Sequence, residues 1–254
     1  SATEIPEIIG DSFPNSLATY DVEGYKITYG TIYGDEPILS QALLLIPKNI
    51  SRVHLVAYFH GTNIPIKALG SERKIPSKYD GDKKDWKEVR WCGLTLATSG
   101  YCVLLPDYIG YGITENKEHP FIYYPELFKA NIDALLATKK FFQKQKINYN
   151  NDLFLAGWSQ GAGAALSAHK YIEEDYADEF KIIASSNLAG PYNFTHFIED
   201  VFSNANKHYP AAGLYSWAGY VLNKFSGTNR PLDQIFKIPV YDQMSAFNIL
   251  TSKP

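Results

Sequence analysis

Gly157-Trp158-Ser159-Gln160-Gly161 leaves this chain few choices of local geometry. An apolar run, Leu153-Phe154-Leu155-Ala156, leads into it, and a small-residue run, Ala162-Gly163-Ala164-Ala165-Leu166, leads out. The order reads as strand, abrupt turn, helix. A serine on so tight a turn is held in a strained backbone conformation that exposes its hydroxyl. The residues two before and two after it must be small, or their side chains would collide with strand and helix, hence Gly157 and Gly161. The helix that starts at once aims free N–H groups and its positive end at the serine. The Gln160 N–H is thereby placed to hold a negative oxygen forming beside Ser159. The pentapeptide alone recurs by chance, and a glycine-rich turn packing a helix on a strand is its bland explanation. The strand before and the helix after give it weight.

A chain of 254 residues suits one large α/β domain or two small ones. A net charge of −3 speaks against nucleic acid as a partner. No apolar run approaches the roughly 20 residues needed to span a bilayer. The 19 Tyr and 14 Phe exceed what a core of this size requires, and such an excess lines ligand grooves or simply sits on the surface. The chain opens on Ser1 with no legible signal peptide, so it reads as a processed or trimmed form. Cys92 and Cys102 are expected on a helix and the strand it feeds. Two buried thiols are the default for them, and a disulfide would argue for export.

Periodicity organises the rest. Residues 1–20 have no clear period and are expected to wrap the surface. Tyr25–Tyr33 alternates apolar and polar, Gly34-Asp35-Glu36-Pro37 is a turn, and Ile38–Pro47 is a second strand, so 25–46 reads as an antiparallel hairpin. Arg52–Phe59 is apolar nearly throughout, as a strand covered on both faces should be. Residues 63–84 form a charged loop. Asp85–Thr98 has helical spacing, with Trp86, Val89, Leu94 and Ala97 on one side, until Gly100 stops it. Tyr101–Pro106 is a strand, Glu126–Lys146 an amphipathic helix, residues 152–157 the strand before Ser159, and Phe180–Leu188 a sixth strand. Strands alternating with helices make a parallel, doubly wound sheet.

Two residues invite misassignment. His60 ends the third strand in His60-Gly61-Thr62, but it comes too early in the chain to act as base for Ser159 in a fold of this order, and a structural role is the better reading. Asp107, directly after Pro106, is better read as an acceptor of backbone N–H bonds that fixes its own loop than as a catalytic acid. His169 sits three turns along the helix that follows Ser159 and faces elsewhere.

Taken together, His60-Gly61-Thr62, Ile75-Pro76-Ser77, Ser99-Gly100-Tyr101-Cys102-Val103, Pro106-Asp107-Tyr108 with Gly110-Tyr111-Gly112, His119-Pro120 and Gly157-Trp158-Ser159-Gln160-Gly161 resemble the secretory lipase and esterase group of α/β-hydrolases. The resemblance covers about residues 25–192. The pattern G-Y-x-V-x-x-P-D-Y-x-G-Y-G is more specific than the pentapeptide. One departure is Ala162, where the family more often has a second glycine. The resemblance implies an α/β-hydrolase fold with a helical lid insertion, and a serine carboxylester hydrolase that is often secreted or periplasmic. Ser159 would be the nucleophile, and the backbone N–H groups of Gln160, Gly61 and Thr62 the oxyanion hole. Trp158, Trp217 and Tyr220 would contact a small-molecule, lipid or glycoside ester. No metal or cofactor is called for.

The larger departure follows residue 193. Residues 1–192 read as the hydrolase core and 193–254 as a helical lid, with helices at Phe194–Phe202, Leu214–Phe225, Asp233–Phe236 and Gln243–Leu250. In this fold two more strands should follow, one ending in the acid and the last in the base. Their absence before Pro254 makes a chain cut before both the expected reading. The competing reading takes His196 or His208 as base, with Asp200, Asp233 or Asp242 as acid. Without an imidazole to take its proton, Ser159 is a weak nucleophile. The alternative function is then an inactive relative that binds a ligand in the same cleft. The sequons Asn49-Ile50-Ser51 and Asn193-Phe194-Thr195 matter only in an exported eukaryotic chain.

Overall fold

The computed structural model describes residues 1–10, 13–63, 75–81, 87–203 and 212–236. Six strands form one sheet: β1 (Val22–Tyr33), β2 (Glu36–Pro47), β3 (Val53–Phe59), β4 (Tyr101–Pro106), β5 (Tyr149–Trp158) and β6 (Lys181–Leu188). Their order across the sheet is β1-β2-β4-β3-β5-β6. The β1–β2 hairpin pairs antiparallel along its whole length, and β2 also runs antiparallel to β4. From β4 onward all neighbours are parallel. Both hairpin strands start earlier than periodicity indicated, because Val22 pairs with Pro47 at the open end and Glu36 with Tyr33 across the tight turn at residues 34 and 35.

The strands read as almost continuously apolar because the sheet is covered on both faces. Ala42, Leu44, Leu55, Ala57, Phe59, Cys102, Leu104, Leu153 and Leu155 point to one core. The residues between them, Leu43, Leu45, Val56, Tyr58, Val103 and Leu105, point to a second core on the opposite face. The first core is covered by α3 (Tyr124–Gln145) and α4 (Gln160–Asp175). The long α3 begins with Pro125 in its first turn and ends at Lys146 in the left-handed conformation, two ordinary helix punctuation devices. Its Leu127, Ile132, Leu135 and Phe142 are buried against the sheet.

The second face departs from expectation at two places. Residues 1–20 do not merely wrap the surface: a five-residue helix, α1 (Ile5–Ile9), buries Ile5 and Ile9. It is held by Arg90 Nη1 donating to the Ile8 carbonyl at 2.9 Å and Trp91 Nε1 donating to the Ile9 carbonyl at 3.0 Å. A helix this short shows no period in the sequence. The helix expected over 85–98 is a π-helical turn at Val89–Leu94, followed by α2 (Thr95–Thr98). Buried Val89 and Leu94 are five apart, one wide turn, so the widening turns both toward the sheet. Residues 85 and 86 lie outside the described residues. Cys92 and Cys102 are free thiols, and burial pushes Cys102 up to about 12.

Beyond β6, α5 (Phe194–Ser203) and α6 (Ala212–Phe225) are helical as the spacing indicated, and a 3₁₀ turn spans Leu232–Gln234. The expected helix at Gln243–Leu250 lies outside the described residues. The α6 helix does not join either sheet core. Its Trp217, Ala218, Tyr220 and Val221 pack on Phe121 and Ile122, with Phe225 and Phe236 alongside.

Leu55, wholly buried at the centre of the sheet, tests this architecture. Leu55→Ala is expected to lower unfolding free energy by about 2–5 kcal/mol, read by urea denaturation of the folded protein.

Candidate active site

The turn at Ser159 has the geometry its sequence demanded. Ser159 sits at φ 55°, ψ −120°, a conformation sparsely used by residues with a side chain, between the end of β5 and the first residue of α4. Its N–H continues the ladder to the Leu188 carbonyl at 2.9 Å, and its carbonyl accepts the Ala162 N–H at 3.0 Å. The two flanking glycines are obligatory. A Cβ on Gly157 would lie 2.1 Å from the Gly161 carbonyl oxygen, and one on Gly161 would lie 1.9 Å from the Phe59 carbonyl oxygen. The first turn of α4 therefore rests directly on the backbone at the end of β3. Ser159 is partly exposed, and among the described residues no side chain hydrogen-bonds its hydroxyl.

The close approach of α4 to Phe59 brings the His60–Asn63 turn beside the serine. That turn is held at three points. Tyr108 Oη donates to the His60 carbonyl at 3.0 Å, and Tyr111 Oη donates to the Asn63 carbonyl at 2.5 Å. Between them, the Gly61 N–H donates to both carboxylate oxygens of Glu88, at 2.9 and 3.1 Å. Tyr58 Oη donates to the same carboxylate at 3.0 Å. This corrects one expectation: the Gly61 N–H is committed to Glu88 and is not free to meet a substrate oxygen. The Thr62 N–H makes no hydrogen bond among the described residues and remains available. The Gln160 N–H, in the first turn of α4, has no intrahelical acceptor.

His60 and Asp107 take structural positions. His60 is buried against the Tyr108 ring, 4.1 Å between centroids, and its Nδ1 meets the Gly61 carbonyl at 2.8 Å. Its Nε2 lies 3.4 Å from the Asp107 carbonyl, so both ring nitrogens face backbone. The Asp107 carboxylate accepts the Ser77 N–H at 2.8 Å and the Ser77 hydroxyl at 2.5 Å, and no histidine among the described residues hydrogen-bonds it. Burial pushes its carboxyl up to about 7 against the opposing pull of those two bonds.

Trp158 is half exposed beside Ser159, its ring 2.8 Å from where a Gly61 Cβ would be. It stands at the mouth of the site. Trp217 and Tyr220, expected to face substrate, are instead 2% and 8% exposed. Trp217 stacks on Phe121 at 4.2 Å, and Tyr220 Oη donates to Glu118 at 2.8 Å, so both are engaged in docking α6. Of the internal acid and base candidates, His196 is 80% exposed with Glu199 4.0 Å away, and Asp233 is exposed. The side chain of Asp200, and His208 and Asp242 entirely, lie outside the described residues.

Sequence reasoning missed Glu88, Tyr108, Tyr111 and His119 as parts of this site. Glu88 gives no signal, since an acid on a helix reads as solvated. The two tyrosines stand three apart inside the motif Pro106-Asp107-Tyr108-Ile109-Gly110-Tyr111-Gly112, whose spacing alone does not show what their hydroxyls reach. Among the described residues no group of three or more His, Cys, Asp or Glu could hold a metal ion. No described helix is long and apolar enough to cross a membrane.

A mostly parallel sheet helical on both faces, with a strained serine where β5 meets α4 and a braced turn after β3, is the α/β-hydrolase fold. The chain belongs to the secretory lipase family, whose model matches residues 93–252. Among solved structures it resembles a Legionella pneumophila protein assigned as a hydrolase, at 23% identity and TM-score 0.81, over 98% of this chain and 65% of that one. It also resembles the rice cell wall degrading esterase LipA from Xanthomonas oryzae, at 26% identity and TM-score 0.76, over 91% of this chain and 59% of that one. Candida antarctica lipase A aligns at 20% identity and TM-score 0.50, over 90% of this chain and 49% of that one. The chain thus spans about half to two thirds of the length of these structures. No curated protein sequence matches it.

The raised Asp107 carboxyl makes a pH prediction. Folding favours its neutral form, so its contribution to stability is complete below about pH 4 and is lost as pH rises through about 7. Asp107→Asn mimics the neutral form and keeps both contacts with Ser77. The variant is expected to match the wild type near pH 4 and to exceed it by up to about 4 kcal/mol at pH 8, measured by denaturant unfolding across that range.

Proposed function

We propose that this chain carries the nucleophile and oxyanion hole of a serine carboxylester hydrolase. One observation supports this above all. Ser159 is held at a strained φ of 55°, at the start of a helix, and among the described residues neither its hydroxyl nor the first N–H of that helix has a hydrogen-bond partner. Nothing in packing alone requires a residue with a side chain in that conformation. Family membership and the likeness to an esterase support the same reaction class.

In this reading Ser159 Oγ attacks the ester carbonyl carbon. The hydroxyl proton passes to a histidine that follows the serine in chain order, as this fold arranges its triads. The carbonyl oxygen becomes an anion held by the Gln160 and Thr62 N–H groups, fixed donors that need no reorganisation as charge develops. The alcohol leaves with the proton, and water hydrolyses the acyl-enzyme. The α5 and α6 helices, within residues 193–254, act as a lid, and Trp158 at the mouth contacts the acyl or alcohol group. The family's description as secretory supports export.

The full protein is expected to hydrolyse short 4-nitrophenyl esters and to be labelled at Ser159 by an organophosphonate. Ser159→Ala is expected to lower kcat by about 10⁴-fold or more. Turnover surviving that substitution would reject Ser159 as nucleophile. A folded protein whose Ser159 resists the phosphonate would favour ligand binding without catalysis.

A further inference from the structure

The main-chain N–H of Gln160 belongs to the first turn of α4, but its side chain is turned inward and is 1% exposed. Its carboxamide Nε2 lies 2.6 Å from His119 Nε2. His119 Nδ1 in turn lies 2.7 Å from the Ile109 carbonyl oxygen. A carbonyl oxygen can only accept, so Nδ1 donates to it, and in the neutral imidazole Nε2 then presents a lone pair. Gln160 must therefore offer its NH₂ group there, and the direction of the bond is decided by Ile109. The other end of the carboxamide, Oε1, is buried with no hydrogen-bond partner. Among the described residues, then, the bond to His119 is what orients this side chain.

His119 is itself well fixed. A Cβ on Gly110, at φ 89°, would lie 2.7 Å from the His119 backbone, so glycine there allows the two segments to touch. The imidazole stacks near Tyr108 at 5.8 Å and lies 4.7 Å from the Tyr111 ring. Those are the two tyrosines that brace the opposite side of the oxyanion hole. Trp217 of α6 closes on the imidazole at 5.7 Å. The Gln160 carbonyl accepts a longer bond from Tyr124 Oη at 3.3 Å.

We propose that His119 is a positioning residue for the oxyanion hole. It grips the Gln160 carboxamide and so fixes the rotation of the first residue of α4, whose N–H must point at the substrate oxygen. One rigid aromatic group, Tyr108, Tyr111 and His119, then sets both halves of the hole: the tyrosines hold the His60–Asn63 turn, and the histidine holds Gln160. The inference rests on the serine-hydrolase reading, since it concerns the donor that the reaction uses. A purely structural histidine, satisfying Ile109 and filling space, is the competing explanation.

A double-mutant cycle separates the two, using hydrolysis of 4-nitrophenyl butyrate by the full protein. His119→Leu is expected to lower kcat by about tenfold to a hundredfold, with KM changed by no more than about twofold. Gln160→Ala is expected to do the same, and adding His119→Leu to it is expected to cost nothing further, because the two act through one bond. His119→Gln, which keeps an acceptor oxygen in reach of Gln160, is expected to recover most of the loss. If His119→Leu lowers kcat equally in the Gln160→Ala background, or leaves kcat unchanged, the positioning role is overturned. Should His119→Leu fail to fold, His119→Phe, which fills the same space without an acceptor for Gln160, takes its place in the cycle. A readout independent of turnover is the Gln160 backbone amide resonance in the ¹H–¹⁵N spectrum, expected to shift in His119→Leu and to return toward its wild-type position in His119→Gln; a resonance moved equally by both substitutions, as loss of the ring alone would move it, overturns the proposal. Failure of the hydrolase reading is seen separately, as a wild-type Ser159 that neither turns over ester nor takes the phosphonate.

Discussion

The contact between Gly161 and the Phe59 carbonyl governs the rest of this molecule. Two backbones meet there with no side chain between them, at a distance that would put any Cβ 1.9 Å from the oxygen. Because α4 can press so close to the end of β3, Ser159 and Gln160 come to lie beside the His60–Asn63 turn. Widening that contact by one methyl group would separate Ser159 and Gln160 from the His60–Asn63 turn. The sheet order serves the same end: β3 and β5 are paired neighbours, so their carboxyl ends open at the same level.

The segment from Pro106 to Gly112 is the second half of the construction. Each of its polar or aromatic residues reaches a different part of the site's support. Asp107 holds Ser77, Tyr108 holds the His60 carbonyl, and Tyr111 holds the Asn63 carbonyl. Glu88 completes the brace from the opposite sheet face through the Gly61 N–H. Together these bonds leave the His60–Asn63 turn little freedom. Among the described residues, the arrangement leaves Thr62, between the braced residues, with its N–H unpaired.

The aromatic cluster around Phe121 joins a third element to this framework. Trp217 and Phe121 stack nearly parallel, with an interplanar angle of 9°. Tyr220 and Lys224 both bind the Glu118 carboxylate. The excess of aromatic residues noted in the composition is thus partly accounted for by docking α6 onto residues 118–124, not by lining an open groove.

Local sequence was enough to decide the strand–turn–helix at Ser159, both small residues around it, the hairpin, the buried character of β3 and the structural parts played by His60 and Asp107. Each of these follows from short-range sterics or from an alternation of side chains that any sheet imposes. The engagement of the Gly61 amide by Glu88, the interior placement of Trp217 and Tyr220, the wide helical turn before β4 and the small helix at Ile5–Ile9 were decided only by tertiary structure. In three of these the hydrogen-bond partner lies far along the chain: 27 residues for Gly61 and Glu88, 82 for Ile9 and Trp91, 102 for Glu118 and Tyr220. A hydrogen bond across such a distance leaves no period in the sequence, since it exists only once the sheet has set both ends in place.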